Sequence, residues 1–111
     1  MVKTQEEQLG SLKLELRRGA VVLAVLSQLE KEQYGYSLKN SLLEKGLTID
    51  EGTLYPLLRR LESQGLLQST WKLEGSRPRR YYQLNKLGKE SLTSLSAEWA
   101  ELATVIERLL K

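Results

Sequence analysis

The chain has 111 residues, 41% of them apolar and 28% charged, which bounds it to one globular domain rather than a disordered segment. It contains no cysteine and no histidine. Disulfides, thiol nucleophiles, imidazole bases and the usual zinc ligands are excluded together, so neither an enzyme nor a cofactor-dependent protein is expected. The net charge of +3 gives only a weak global field, but the positive charge is local: residues 75–89 hold three Arg and two Lys without an acid.

In chain order, Leu9, Leu12 and Leu16 recur at helical spacing, so residues 4–18 read as an amphipathic helix that Gly10 weakens. After Gly19, the run AVVLAVLSQL is apolar almost all round and reads as a separate buried helix, with a buried strand as the alternative. Its most apolar part, residues 20–26, is too short to span a bilayer, and the first residues, MVKTQEEQ, lack the apolar core of a signal peptide. A cytoplasmic protein is expected.

Gly35 ends the loop EKEQYG, and residues 36–45 then place Leu38, Leu42 and Lys45 on one side of a short helix that Gly46 stops. Asp50 can cap a further helix carrying Leu54, Leu57, Leu58 and Leu61 as an apolar stripe, closed by Gly65; Thr48 with Glu51 is an alternative capping box. Pro56 removes a helical N–H and crowds the carbonyl of Gly52, so the helix either bends there or starts later.

Leu67, Ser69, Trp71 and Leu73 alternate with polar residues at the two-residue period of a half-buried strand. After GSRP, residues 79–84 can pair back on it, with Arg80, Tyr82 and Leu84 sharing one face; the product is a β-hairpin with a basic tip. Asn85 can cap a final helix in which Leu92, Leu95, Trp99, Leu102, Ile106 and Leu109 step by three and four residues, a heptad seam that a lone helix cannot bury in water. Pairing with a second copy of the chain is expected there.

Helix, helix, four-residue turn, helix, basic hairpin and long helix is the layout of a winged helix-turn-helix, mainly α with a small β-hairpin. Residues 1–84 form the expected DNA-binding region and residues 85–111 the dimerisation helix of one compact domain. In that geometry Thr53 and Tyr55 face DNA from the helix that Asp50 caps, Arg59 and Arg60 lie one turn further along, and Arg77, Arg79 and Arg80 sit on the hairpin around Pro78 as candidate phosphate contacts. Arg80 shares the parity of Tyr82 and Leu84, which sets it apart from the other two. Asp50 and Glu51 oppose DNA binding, and an interaction module that has lost DNA binding is the competing reading. A hydrolase built on Glu98 and Glu101 has no nucleophile, base or metal set beside it.

The runs YGYSL (34–38), GTLYPLLRRLESQGLL (52–67) and GSRPRRYYQLNKLGKESL (75–92) resemble the PadR family of bacterial transcriptional regulators over about residues 17–92. The chain length resembles that family's short subclass, whose C-terminus is a single dimerisation helix. The resemblance implies a homodimeric repressor that binds an inverted repeat in double-stranded promoter DNA and releases it when an effector binds. Carried onto this sequence, it implies DNA contacts from Tyr36, Thr53 and Tyr55, a wing tip over residues 77–80, and a local bend at Pro56, which is the family's own proline. Gln33 precedes Tyr34-Gly35-Tyr36 where members often carry a histidine-glycine-tyrosine run, and Asn85 replaces the usual cap threonine. In multidrug-sensing members a tryptophan of the last helix faces its symmetry mate and stacks on planar aromatic compounds; Trp99 is the counterpart, either as such an effector contact or as dimer-core filling.

Overall fold

The computed structural model describes residue 2 and residues 4–111. The elements are α1 (Gln5–Ser27), β1 (Gln33–Tyr34), α2 (Gly35–Glu44), α3 (Glu51–Ser63), β2 (Leu67–Glu74), β3 (Arg77–Leu84) and α4 (Lys86–Leu110). The three strands form one antiparallel sheet in the order β1-β3-β2. This is a winged helix with a long helix at each end.

Two expectations change. The first two predicted helices are one: α1 runs unbroken through Gly19, starting where the Thr4 hydroxyl accepts the Glu7 N–H at 3.1 Å. A helical glycine costs about 1 kcal/mol relative to alanine, which weakens a helix without ending it. A third strand also appears, because Gln33 and Tyr34 pair with Tyr82 and Tyr81 of β3. Two residues are too few to show a period, and this pairing joins positions far apart in sequence.

The core is one apolar cluster: Val25 and Leu26 at the end of α1 and Leu29 just after it, Leu38 and Leu42 of α2, Ile49, the α3 leucines, and Leu67, Tyr82 and Leu84 of the sheet, with Leu92 of α4 packed partly buried against it. All four α3 leucines are buried, as their spacing predicts. Asp50 is the α3 cap: its carboxylate accepts the Thr53 N–H at 3.1 Å and the Thr53 hydroxyl at 2.8 Å. Pro56 lies inside α3 and the helix continues past it. The N–H it lacks leaves only the Gly52 carbonyl without its helical donor, and Gly52 is exposed to water.

The hairpin closes on the pair Glu74 and Arg77, with Gly75 at φ +64° in the first central position of a two-residue turn. Pro78 stands opposite Leu73, one step from the closing pair, where a backbone N–H would point away from β2. The predicted half-buried strand holds only at its base. Leu67 is buried and Ser69 half-buried, whereas Trp71 is 65% and Leu73 75% exposed, because the hairpin overhangs the helices it packs on.

Asn85 caps α4 by accepting the Gly88 N–H at 2.8 Å, and its own amide donates to the Gly65 carbonyl at 2.7 Å, tying α4 to the end of α3. Beyond its first turns α4 leaves the core, and Leu95, Trp99, Leu102, Ile106 and Leu109 are exposed. Leu9, Leu12 and Leu16 of α1 are exposed as well. The Cα radius of gyration, 16.3 Å, exceeds the roughly 13 Å of a compact chain this long, as two projecting helices require.

The root of α4 is held by close backbone approach. A Cβ on Gly88 would fall 2.1 Å from the Leu66 carbonyl oxygen. Gly88→Ala is therefore expected to destabilise the chain by about 1–3 kcal/mol, the usual cost of overpacking, read as a lowered midpoint in thermal or urea unfolding.

Candidate nucleic-acid interface

The N-terminus of α2, the flank of α3 and the edge of the wing meet around a groove of about 310 Å³. Tyr34, Tyr36, Tyr55, Arg59, Arg79 and Arg80 all line it. Five of the eight DNA contacts predicted from sequence thus come together: Tyr36, Tyr55, Arg59, Arg79 and Arg80. Thr53 and Arg60 open instead toward α1, on a second cleft shared with Arg17, Arg18 and Val21. Arg77 lies at the exposed hairpin turn and has no acid within ion-pairing distance among the described residues.

The groove is ordered by aromatic and cationic stacking. The Arg79 guanidinium sits 4.4 Å from the centre of the Tyr34 ring, Tyr34 stacks on Tyr36 at 6.5 Å, and Tyr81 meets Tyr34 edge-on at 5.3 Å. Arg79 Nε also lies 2.8 Å from a Glu74 carboxylate oxygen, without the alignment of a hydrogen bond. Tyr34 was not singled out from the sequence as a site residue, although it heads the Tyr-Gly-Tyr run that places it there.

Arg80 has a different set of partners. It donates to Glu62 at 2.6 Å and to the Ser69 hydroxyl at 3.1 Å, and Ser69 in turn donates to Glu62. This partly buried network joins the wing to the C-terminal part of α3, so the parity that set Arg80 beside Tyr82 also turns it toward the helix. On the opposite face, Lys72 pairs with Glu32 and bridges the wing to the loop before β1.

The acids at the start of α3 are also engaged. The Thr53 side chain, by its hydrogen bond, holds the Asp50 carboxyl below its ordinary value of 3.8, and Glu51 pairs with Lys39 at 3.7 Å. Thr53 spends its hydroxyl proton on Asp50, which leaves its methyl group and oxygen lone pairs for any other contact. Burial, followed by the Glu51 charge, raises the Tyr55 phenol above its ordinary value of 10.0, so it remains a protonated donor near neutral pH.

Gln33 anchors the segment that presents Tyr34 and Tyr36. Its amide nitrogen donates to the Gln28 carbonyl at 2.6 Å, and its amide oxygen accepts from Ser37 at 3.2 Å and Ser41 at 3.1 Å. Gly35 lets α2 approach α3, since a Cβ there would lie 2.1 Å from a ring carbon of Tyr55.

A helix-turn-helix packed on a three-stranded wing, with a long helix after it, is a winged-helix architecture. Comparison with known proteins agrees: the model of the transcriptional regulator PadR-like family matches residues 22–94. A transcriptional regulator of Mycobacterium tuberculosis is 38% identical over 90 residues, covering 80% of this chain and 84% of that protein. The crystal structure of a PadR family transcriptional regulator from Eggerthella lenta superposes with a TM-score of 0.86 at 47% identity, covering 96% of this chain and 95% of the other. A PadR-like transcription factor from Bacteroides fragilis superposes at 0.76 with 34% identity, covering 89% and 98%. The chain belongs to the PadR-like family of transcriptional regulators, a family of regulators rather than enzymes. Among the described residues, no helix is long and apolar enough to cross a membrane.

The Gly35 and Tyr55 contact is testable by a double-mutant cycle. Gly35→Ala alone is expected to lower stability by about 1–3 kcal/mol, and much of that loss should disappear in a Tyr55→Ala background, where the ring it strikes is gone. Urea unfolding of the four proteins gives the coupling.

Proposed function

We propose that the chain is a homodimeric repressor that binds promoter DNA through α3 and the wing and releases it when a small-molecule effector binds. The observation that carries this reading is the convergence of Tyr36, Tyr55, Arg59 and Arg79 on one groove between the recognition helix and the wing, with Arg77 exposed at the hairpin turn. Thr53, Tyr55 and Tyr36 read the major groove, Arg77 and Arg79 hold phosphates, and Arg59 and Arg60 add charge along the helix. Arg80, tied to Glu62 and Ser69, sets the angle of the wing. The acids that favoured an interaction module have partners, Asp50 in its cap and Glu51 on Lys39, which weakens that alternative.

Dimerisation rests on Leu92, Leu95, Trp99, Leu102, Ile106 and Leu109. Five of these six are exposed in the single chain, and at about 25 cal/mol per Å² of apolar surface covered, a second copy of the seam is a strong partner. The two-fold axis brings both Trp99 side chains together, and each is 52% exposed in one chain, which leaves a flat indole face for a planar aromatic effector. The two recognition helices then reach successive major grooves about 34–36 Å apart.

Binding to DNA upstream of the chain's own coding region, followed by mobility shift over a salt series, should give a log–log slope of about −0.9 per phosphate neutralised. Arg77→Ala and Arg79→Ala should each flatten that slope by about one and weaken all sequences alike, whereas Thr53→Ala should change sequence preference. A flat salt response would remove the DNA-binding reading. A planar cationic dye should quench Trp99 fluorescence and reduce DNA affinity; emission unchanged at saturating dye would remove the effector site and leave Trp99 as dimer packing.

A further inference from the structure

The second cleft, between α1 and the first half of α3, belongs neither to the groove beside the wing nor to the dimer seam. It holds about 520 Å³, within the roughly 300–1,000 Å³ of small-molecule sites. Its floor is apolar: Val21 and Val22 of α1, Ile49 before α3, and Pro56 and Leu57 within it. The same cleft is lined by three cations, Arg17 and Arg18 from α1 and Arg60 from α3.

None of these arginines has an acid within ion-pairing distance among the described residues. One Arg17 nitrogen donates to the Thr48 carbonyl at 3.2 Å, which holds the side chain against the cleft and leaves its other N–H groups for a ligand. Asp50 is the one acid in the lining, and it is engaged as the α3 cap, its carboxylate accepting from the Thr53 N–H and hydroxyl. At about 3.6 residues per turn, Leu14, Arg18 and Val21 fall on the side of α1 opposite the exposed Leu9, Leu12 and Leu16. A partner helix seated on those leucines therefore leaves the cleft uncovered.

Charge and shape together select the occupant. Three arginines beside one engaged acid suit an anion, and the planar guanidinium matches a carboxylate in paired hydrogen bonds. A small inorganic anion satisfies the arginines but leaves Val21, Val22 and Pro56 facing water, and a DNA backbone does the same. A carboxylate attached to an apolar body covers both.

We infer that this cleft binds an amphiphilic carboxylate, with its head on the arginines and its apolar body on the floor between α1 and α3. Thr53 and Arg60 line the same cleft, so the occupant takes two groups that the reading above assigns to promoter DNA, and ligand and DNA compete. The competition rests on that DNA-binding reading; the site itself does not. It is separate from Trp99, which lies on α4.

The chain has two isoleucines, Ile49 in the cleft and Ile106 on the seam, so methyl-labelled isoleucine in the full chain gives one NMR reporter for each place, assigned with an Ile49→Val variant. Decanoate, with a chain-like body, or 2-naphthoate, with a flat one, should move the Ile49 signal saturably while Ile106 stays. The tighter of the two tells an aliphatic from an aromatic acid. Arg18→Ala and Arg60→Ala should each weaken that binding by about tenfold, the weight of one charge-assisted pair. Inorganic phosphate lacks the body and decyltrimethylammonium lacks the negative head, so both should leave Ile49 in place. In mobility shifts the binding acid should lower the DNA affinity of the wild-type chain, and Arg18→Ala should need about tenfold more of it for the same loss. An Ile49 signal unmoved by both acids up to their solubility overturns the site, as does an equal response to the ammonium amphiphile. Movement of Ile106 alone assigns the ligand to the dimer seam and overturns it too. A flattened salt slope for ligand-free Arg18→Ala on DNA assigns the cations to phosphates, with the same result. DNA affinity unchanged with Ile49 saturated sinks the competition, whereas failure of the wild-type chain to bind any duplex at low salt sinks the DNA-binding reading and leaves the site to be judged on Ile49.

Discussion

The four leucines of α3 set the terms for everything around them. Helical geometry puts Leu54, Leu57, Leu58 and Leu61 on one side, and all four are buried against α1, α2 and the sheet. A helix committed so completely on one side has its opposite side delivered to solvent in a fixed orientation. Asp50, Gly52, Thr53, Arg59 and Arg60 are exposed because the leucines are not. The wing inherits the same reference frame through Glu62, one residue beyond Leu61, whose carboxylate takes Arg80 and Ser69. The recognition helix and the wing thus behave as one piece, and the groove between them has walls set by core packing rather than by surface side chains alone.

The fold was largely legible in the sequence where the signals were local. Asp50 and Asn85 as caps, Gly46 and Gly65 as left-handed stops, the leucine stripe and the hairpin all follow from residue chemistry within a few positions. What escaped were relations set by distance in space. Gln33 and Tyr34 become a strand only because Tyr81 and Tyr82 return beside them, and Gly19 reads as a boundary although a glycine weakens a helix by only about 1 kcal/mol. Trp71 and Leu73 obeyed the alternation of a buried face, yet alternation reports which side a residue occupies and says nothing of whether any neighbour reaches that far. Among the candidate site residues, Tyr36, Tyr55, Arg59 and Arg79 converge, whereas the separate attachment of Arg80 to Glu62 depends on an ion pair between residues 18 positions apart.

The two ends of the chain follow a different economy from its middle. The winged helix has its own core without α4, while the outer half of α1 and most of α4 expose leucines at helical spacing. In proteins most helical stability comes from packing an amphipathic face rather than from propensity, so these stretches depend on what covers them. Asn85 and Gly88 fasten the root of α4 to the ends of α3 and β3. The outer part of α4 is therefore joined to the winged helix through a short segment held by one side-chain hydrogen bond and one close backbone approach.

The amide of Gln33 has a consequence for the conditions under which this regulator works. It ties β1 to the end of α1 and to α2 with one donor and one doubly used acceptor, and its partners are a carbonyl and two hydroxyls. None of these groups gains or loses a proton between about pH 5 and 9. With no histidine anywhere in the chain, the joint that orients Tyr34 and Tyr36 is insensitive to ordinary excursions in acidity. The presentation of those two rings is in effect buffered by omission: the chain lacks the side chain most suited to sensing protons near neutrality, and a response to its surroundings has to enter by another route.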